Sequence, residues 1–386
     1  MTQRRERLAA PDVLRVSAIF IVGWFHIWQQ SWLDPGFRIG SYYVNLQNIV
    51  RHGYMMVDMM LLLSGFLLAL PVARQHYQAE ALTRPGQFLR KRFWRIAPSY
   101  YLCIMLTTVL YAIPRGLYWS TPAMIKDLWA HATFTHTLFY DTYLRSPVSS
   151  TLWTLSVEML FYVLWPLIGR LFAKKPGETC LFMVVTALSY RLWVYGESDT
   201  NVYINQLPAM LDLYACGMAA AAIYVRLEAE GKPGVKTRRW LAPVGMAACF
   251  IGMCAIMYIQ PIGDYELIRR GQMTWRLPLS LLGGIFLLCG CMAPAGLARV
   301  LGNPVTRFLS DLSYNFYIWH QFLACRLKDW RIPPSLSETP NQVGEQPWQT
   351  QYTFICFIAA LILSAALTYF WEKPVQKWGL RKKPAA

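Results

Sequence analysis

The chain has 386 residues, of which 55% are hydrophobic and only 15% charged, with a formal net charge of +16. Soluble globular chains carry roughly 25% charged residues, so this composition excludes an ordinary soluble domain and indicates a polytopic membrane protein. The excess of positive charge does not indicate nucleic acid, because the basic residues form short clusters between apolar runs, without zinc-finger or RNP-like spacing.

The opening "MTQRRERLAAPD" has the character of a signal-peptide n-region. The apolar run after it is too long for an h-region and has no A-x-A site, so it is expected to stay as a first membrane helix. Ten runs approach the roughly 20 apolar residues that a membrane helix needs. They cover 12–32, 53–73, 97–113, 151–172, 179–195, 207–225, 240–260, 275–294, 305–325 and 350–371. The expectation is an all-α polytopic membrane protein of about ten transmembrane helices, forming one membrane-embedded domain over 1–386 without an appended soluble domain.

Orientation follows from Lys and Arg. With the N-terminus inside, one side collects Arg4, Arg5, Arg7 and Arg15, the cluster Arg84–Arg95, Arg170, Lys174 and Lys175. The same side takes Lys232, Lys236, Arg238 and Arg239, then Arg299, Arg307 and the basic residues from Lys373 to Lys383. The bias is about two to one, which predicts both termini cytoplasmic and a multi-pass protein of the cytoplasmic membrane. Residues 114–150 and 326–349 are then long outer loops, where binding segments tend to occur. The nine cysteines show neither CxxC nor zinc spacing and read as small buried hydrophobes, with no metal site.

Ionisable groups within membrane spans are costly and often functional. His26, Asp58, Glu158, Asp212 and His320 all fall about 8–10 Å inside the outer edge, from a rise of about 1.5 Å per residue. Asp58 or Asp212 taken alone can equally be hydrogen-bonded to a neighbouring helix. His26 and Glu158 form the favoured functional pair. An imidazole takes a proton near neutral pH, and a carboxylate bonded to it fixes its tautomer. Arg15, at the inner end of the same helix, can snorkel. Arg92-x-x-Arg95 places two guanidinium groups on one helix face, a fork suited to phosphate, although positive-inside topology explains it as well.

At these residues the chain resembles the membrane acyltransferase-3 family. "DVLRVSAIFIVGWFH" (12–26) is similar to the family's opening helix, and "VDMMLLLSGFLLALP" (57–71) to its Ser-Gly-Phe block, with methionines and leucines in place of the usual aromatics. "RKRFWRIAPSYYL" (90–102), "LWTLSVEMLFYVLWP" (152–166), "LSYNFYIWH" (312–320) and "WEKP" (371–374) resemble later blocks in order. The resemblance implies an O-acyltransferase with no bound cofactor that takes acyl-CoA, commonly acetyl-CoA, from the cytoplasm. It implies an acceptor hydroxyl on a surface or exported carbohydrate.

By position, Arg15, Arg92 and Arg95 match the residues placed near the donor, and His26 matches the catalytic histidine. Glu158 lies in the acidic block and is expected to orient His26. Ser64, Tyr317 and His320 are candidate donors to the developing oxyanion, with Asp58 and Asp212 as supporting polar groups. Two other classes compete with this reading. One is an exporter of a glycan or lipid with a proton-relay interior, although no matching pair of broken helices is visible. The other is a membrane scaffold without chemistry, which has no need of these charges.

Overall fold

The computed structural model describes residues 7–78, 85–230 and 235–381. Arg4, Arg5, Arg84, Lys232, Lys382 and Lys383 of the orientation argument lie outside the described residues, as do the side chains of Lys236, Arg238 and Arg239.

Among the described residues, ten long helices stand where the ten apolar runs place them. They are α1 (Ala9–Ser31), α2 (Val57–Gln78), α3 (Pro85–Thr107), α4 (Trp153–Lys174) and α5 (Pro176–Tyr195), then α6 (Leu211–Ala229), α7 (Val235–Tyr258), α8 (Tyr265–Cys291), α9 (Pro304–Asp329) and α10 (Trp348–Leu367). Among the described residues, eight helical segments are long and apolar enough to cross a membrane. The two that fall short are α5, which carries Glu178 and Arg191, and α9. The latter presents Ser310, Ser313, Asn315 and His320 to its neighbours as buried polar groups. One small departure from all-α is an exposed antiparallel ribbon, Phe37–Ile39 against Tyr42–Val44.

Helix α3 begins at Pro85, well before the span expected at 97–113, so the basic cluster is helical and Arg92 and Arg95 share a turn. The loop 114–150 is itself structured, with short helices at Thr121–Ala132 and Tyr140–Leu144.

Lipid is as apolar as leucine, so helix association in a membrane depends on close packing and internal hydrogen bonds rather than on apolar transfer. The tightest pair is α2 with α6. A Cβ on Gly217 would lie 2.0 Å from the Leu62 carbonyl oxygen, and one on Gly65 would lie 2.4 Å from that of Tyr214. Only glycine permits this backbone approach. Helix α1 packs along α9, and the Phe20, Phe316 and Phe357 rings stack between α1, α9 and α10.

Among the described residues, two buried arginine–aspartate pairs tie α8 to α2 and α5 to α6. Arg276 of α8 meets Asp58 of α2 at 3.1 Å, with side chains 0% and 1% exposed. Arg191 of α5 grips both carboxylate oxygens of Asp212 of α6, at 2.9 and 2.6 Å. Asp58 and Asp212 are therefore helix-joining groups held by arginines, the alternative that the sequence left open for each. Each needs its cation because an unpaired charge in this environment is costly.

The chain's two ends come together on one face. Arg7 binds Asp12 and Asp311, Asp311 binds Lys373, and Arg90 donates to the carbonyls of Gly379 and Arg381. This is called the terminal face, and the opposite one the loop face.

Candidate active site

His26 sits two turns above Phe20 on α1, and His320 lies one turn beyond Phe316 on α9. The absence of a side chain at Gly23 lets the Phe316 ring rest against α1, since a Cβ there would lie 2.6 Å from that ring. The His320 ring then stacks parallel on Phe316, with centroids 5.5 Å apart and planes inclined by 3°. His26 Nδ1 and His320 Nε2 meet at 2.9 Å.

The proton positions follow from the partners. His320 Nδ1 lies 2.9 Å from the Phe316 carbonyl oxygen, which can only accept. With both rings neutral, His320 Nδ1 donates to that carbonyl and His320 Nε2 accepts from His26 Nδ1–H. This assignment rests on the hydrogen-bond network. It leaves His26 Nε2 with a free lone pair. His26 lines a cavity of about 660 Å³ at the loop face, whose wall also holds Tyr317, Trp153, Gln321 and Arg51. A basic nitrogen beside a polar and aromatic cavity is suited to general-base chemistry on a hydroxyl.

Glu158 is elsewhere. It accepts from Ser64 Oγ at 2.9 Å and from Tyr162 Oη through a short bond, and makes no hydrogen bond to His26. The Tyr162 ring in turn carries the Arg92 guanidinium, 5.4 Å from its centroid. The place expected for Glu158 beside His26 is taken by His320. The physical reason is the helix pairing. Helix α9 packs along the length of α1, whereas α4 faces α2 and α3.

These bonds also sort the candidate oxyanion donors. Ser64 spends its hydrogen on Glu158, and both nitrogens of His320 are engaged. Tyr317, buried in the wall of the loop-face cavity, is the candidate that keeps access to it.

Two adjoining cavities open at the terminal face and share Arg95. One, of about 880 Å³, is lined by Lys91, Arg92, Arg95, Arg170 and Lys174, with Phe88 and Trp165 among its apolar walls and, among the described residues, no carboxylate. The other, of about 530 Å³, contains Arg15, Arg74 and Arg95 together with Asp12, Asp311 and Glu372. Arg15 approaches Ser310 Oγ at 3.4 Å, and that hydroxyl donates to Asp12 at 2.7 Å. Snorkelling therefore does not account for Arg15, which is held inside the helix bundle. All three sequence-derived arginines line these two cavities, a setting suited to a polyanion.

Several participants were not singled out from sequence. Tyr162 has a visible signal, four residues after Glu158 on the same helix face. Glu372, within "WEKP", lies on a π-helical turn at the end of α10 and accepts from Asn315 at 2.7 Å. Such turns are frequent at functional sites. Arg276 has a signal as well, as an ionisable group within the expected span 275–294, whereas Arg51 gives none. Among the described residues no group of three His, Cys, Asp or Glu side chains could hold a metal ion.

A family model described as "Acyltransferase domain" matches residues 8–370. The chain is 25% identical to the peptidoglycan O-acetyltransferase OatA of Listeria monocytogenes, over 98% of this chain and 57% of that protein. It is 24% identical to the putative peptidoglycan O-acetyltransferase YrhL of Bacillus subtilis, over 98% of this chain and 56% of that one. A putative acetyltransferase of Acidianus two-tailed virus, ORF330, is 24% identical over 80% of each chain. The chain thus spans a little over half the length of the two bacterial relatives. No solved structure matches it.

Proposed function

Because the chain belongs to the acyltransferase-3 family, we propose that it moves an acetyl group from acetyl-CoA, bound at the terminal face, to a carbohydrate hydroxyl at the loop face. One observation carries this reading. The smaller cation-lined cavity, which shares Arg95 with the larger, and the His26–His320 pair lie toward opposite ends of α1, the helix that holds both Arg15 and His26. Eleven residues separate those two side chains, about 16 Å along the helix. The positive-inside bias makes the terminal face cytoplasmic, where acetyl-CoA is available.

The donor's phosphates suit Arg15, Arg92 and Arg95, and its thioester arm extends from Arg95 toward the interior. His26 Nε2 removes the proton of the acceptor hydroxyl as the hydroxyl oxygen attacks the thioester carbonyl carbon. A C–O bond forms, and the carbonyl electron pair moves onto oxygen, within reach of the Tyr317 hydroxyl. When the carbonyl reforms, the C–S bond breaks and the imidazolium returns its proton to the departing thiolate. His320 holds His26 in the reactive tautomer throughout, the role first assigned to Glu158. Glu158, bonded to Ser64 and Tyr162 beneath Arg92, positions the donor side instead.

The names of the two bacterial relatives make cell-wall glycan the first acceptor to test. The test is mass spectrometry of envelope glycans from cells with wild-type protein, with His26→Ala, or without the gene. An acetyl ester present only with wild type is expected. A glycan profile unchanged by removal of the gene, or fully restored by His26→Ala, refutes the reading.

A further inference from the structure

The loop-face cavity has an uncompensated cation. Arg51 and Arg269 both line it, together with several aromatic and amide side chains, and among the described residues no aspartate or glutamate does. Arg269 is answered by Glu266 at 2.8 Å and lies over the Tyr265 ring. Arg51 has no counter-charge: among the described residues it makes no ion pair and no side-chain hydrogen bond. Its Nε is buried without a partner. Among the described residues, its guanidinium lies over the Trp28 ring alone, 5.4 Å from the centroid. Trp28 follows His26 by two residues on α1, and both line the same cavity.

A guanidinium is a strong, fork-shaped donor with no acceptor capacity of its own. Holding one against a tryptophan face, with a buried and unpaired N–H, leaves a site that a carboxylate or phosphate oxygen completes. Amides and aromatic rings around it provide the hydrogen-bonding and stacking surfaces that a sugar ring uses. The neighbouring His52 does not neutralise the charge, because its two ring nitrogens face the carbonyl oxygens of Asn48 and Pro261.

We infer that the acceptor is an acidic glycan, carrying a carboxylate or phosphate close to the hydroxyl that is acylated, and that Arg51 is the residue that selects it. This rests on reading the loop-face cavity as the acceptor site. It adds a substrate class and a specificity-determining residue that acetyl transfer alone does not require.

The experiment measures equilibrium binding rather than turnover, so that a failure of acetyl transfer and a failure of this inference remain distinct. Three oligosaccharides of one backbone are titrated into the full-length protein in detergent: one bearing glucuronate, its carboxyl-reduced neutral counterpart, and a 6-phosphate form of that counterpart. The expected result is about ten- to a hundredfold tighter binding of at least one acidic probe than of the neutral one, the range of a charge-assisted hydrogen bond. The preferred acidic arm identifies the anion. Arg51→Gln is expected to erase the preference, and Arg51→Lys to restore part of it, with the melting temperature confirming that both variants are folded. Equal binding of acidic and neutral probes by wild type overturns the inference. So does a preference that survives in folded Arg51→Gln.

Discussion

Removing the His320 side chain separates the positioning of His26 from its chemistry. In His320→Ala, His26 Nδ1 loses the acceptor now 2.9 Å away, and with it the side-chain bond that favours the tautomer leaving Nε2 basic. The lost bond is worth about 1–1.5 kcal/mol, which corresponds to roughly a five- to tenfold fall in kcat. His26→Ala, by contrast, removes the base itself, at an expected cost of about 10²- to 10⁴-fold. His320→Gln offers an amide oxygen to the same N–H and is expected to recover most of the rate. The assay is the initial rate of transfer from radiolabelled acetyl-CoA to a glycan acceptor by purified protein. The KM for acetyl-CoA should change little, because the cationic cavities are lined by other residues. A His320→Ala rate equal to wild type refutes the tautomer argument. A loss as large as that of His26→Ala refutes it too, because His320 would then be touching the reacting atoms.

Other consequences concern the fold. Arg276→Met leaves buried Asp58 without its cation and is expected to cost about 3–5 kcal/mol, part of which Asp58→Leu in the same chain recovers. Thermal denaturation in detergent measures both variants, and equal melting of the single variant and wild type counts against the pair. Gly217→Ala forces a methyl to within 2.0 Å of the Leu62 carbonyl oxygen, for an expected loss of about 1–3 kcal/mol. Gly177→Ala, with nothing within 4 Å of the added carbon, is expected to be silent in the same melt. In the 114–150 loop, burial and the parallel ring of His131 hold the His136 imidazole well below its ordinary value of 6.5. The unfolded chain therefore binds this proton more readily. The stability it contributes is full above about pH 6.5 and is lost as pH falls toward the lower folded value. Melting temperature should drop between pH 7 and 5, and His136→Asn should flatten that drop; an equally steep profile in the variant rejects the assignment.

The ten helices were legible because a membrane span writes its own length in apolar residues. The two least apolar, α5 and α9, were still found, since their charges lie toward the ends or face neighbouring helices. Depth along a helix was also readable, and it brought His26 and His320 into one layer. Azimuth was not. Whether a side chain at a given depth faces α1, α2 or lipid depends on which helices pair, and that is set by contacts such as Gly23 against Phe316 and Gly217 against Leu62. For this reason Glu158 was assigned to His26 when it belongs with Ser64, Tyr162 and Arg92, and the arginine partners of Asp58 and Asp212 could not be named. The arginine fork was recoverable because spacing within one helix fixes both depth and face. Arg51 was invisible for the opposite reason. A basic residue at the end of a short helix between spans, Gln47–Arg51, becomes informative only when the surrounding wall is known to hold no acid among the described residues.

The central claim is that the acetyl group enters at the terminal face and leaves on an acceptor at the loop face, with His26 between. Reconstituting the protein in vesicles with a single known orientation allows labelled acetyl-CoA to be offered to one face and a glycan acceptor to the other. The account predicts base-labile acetyl ester on the acceptor only when acetyl-CoA meets the terminal face and the acceptor meets the loop face, and none with His26→Ala. Ester formation with the two substrates exchanged, or undiminished ester with His26→Ala, would contradict it.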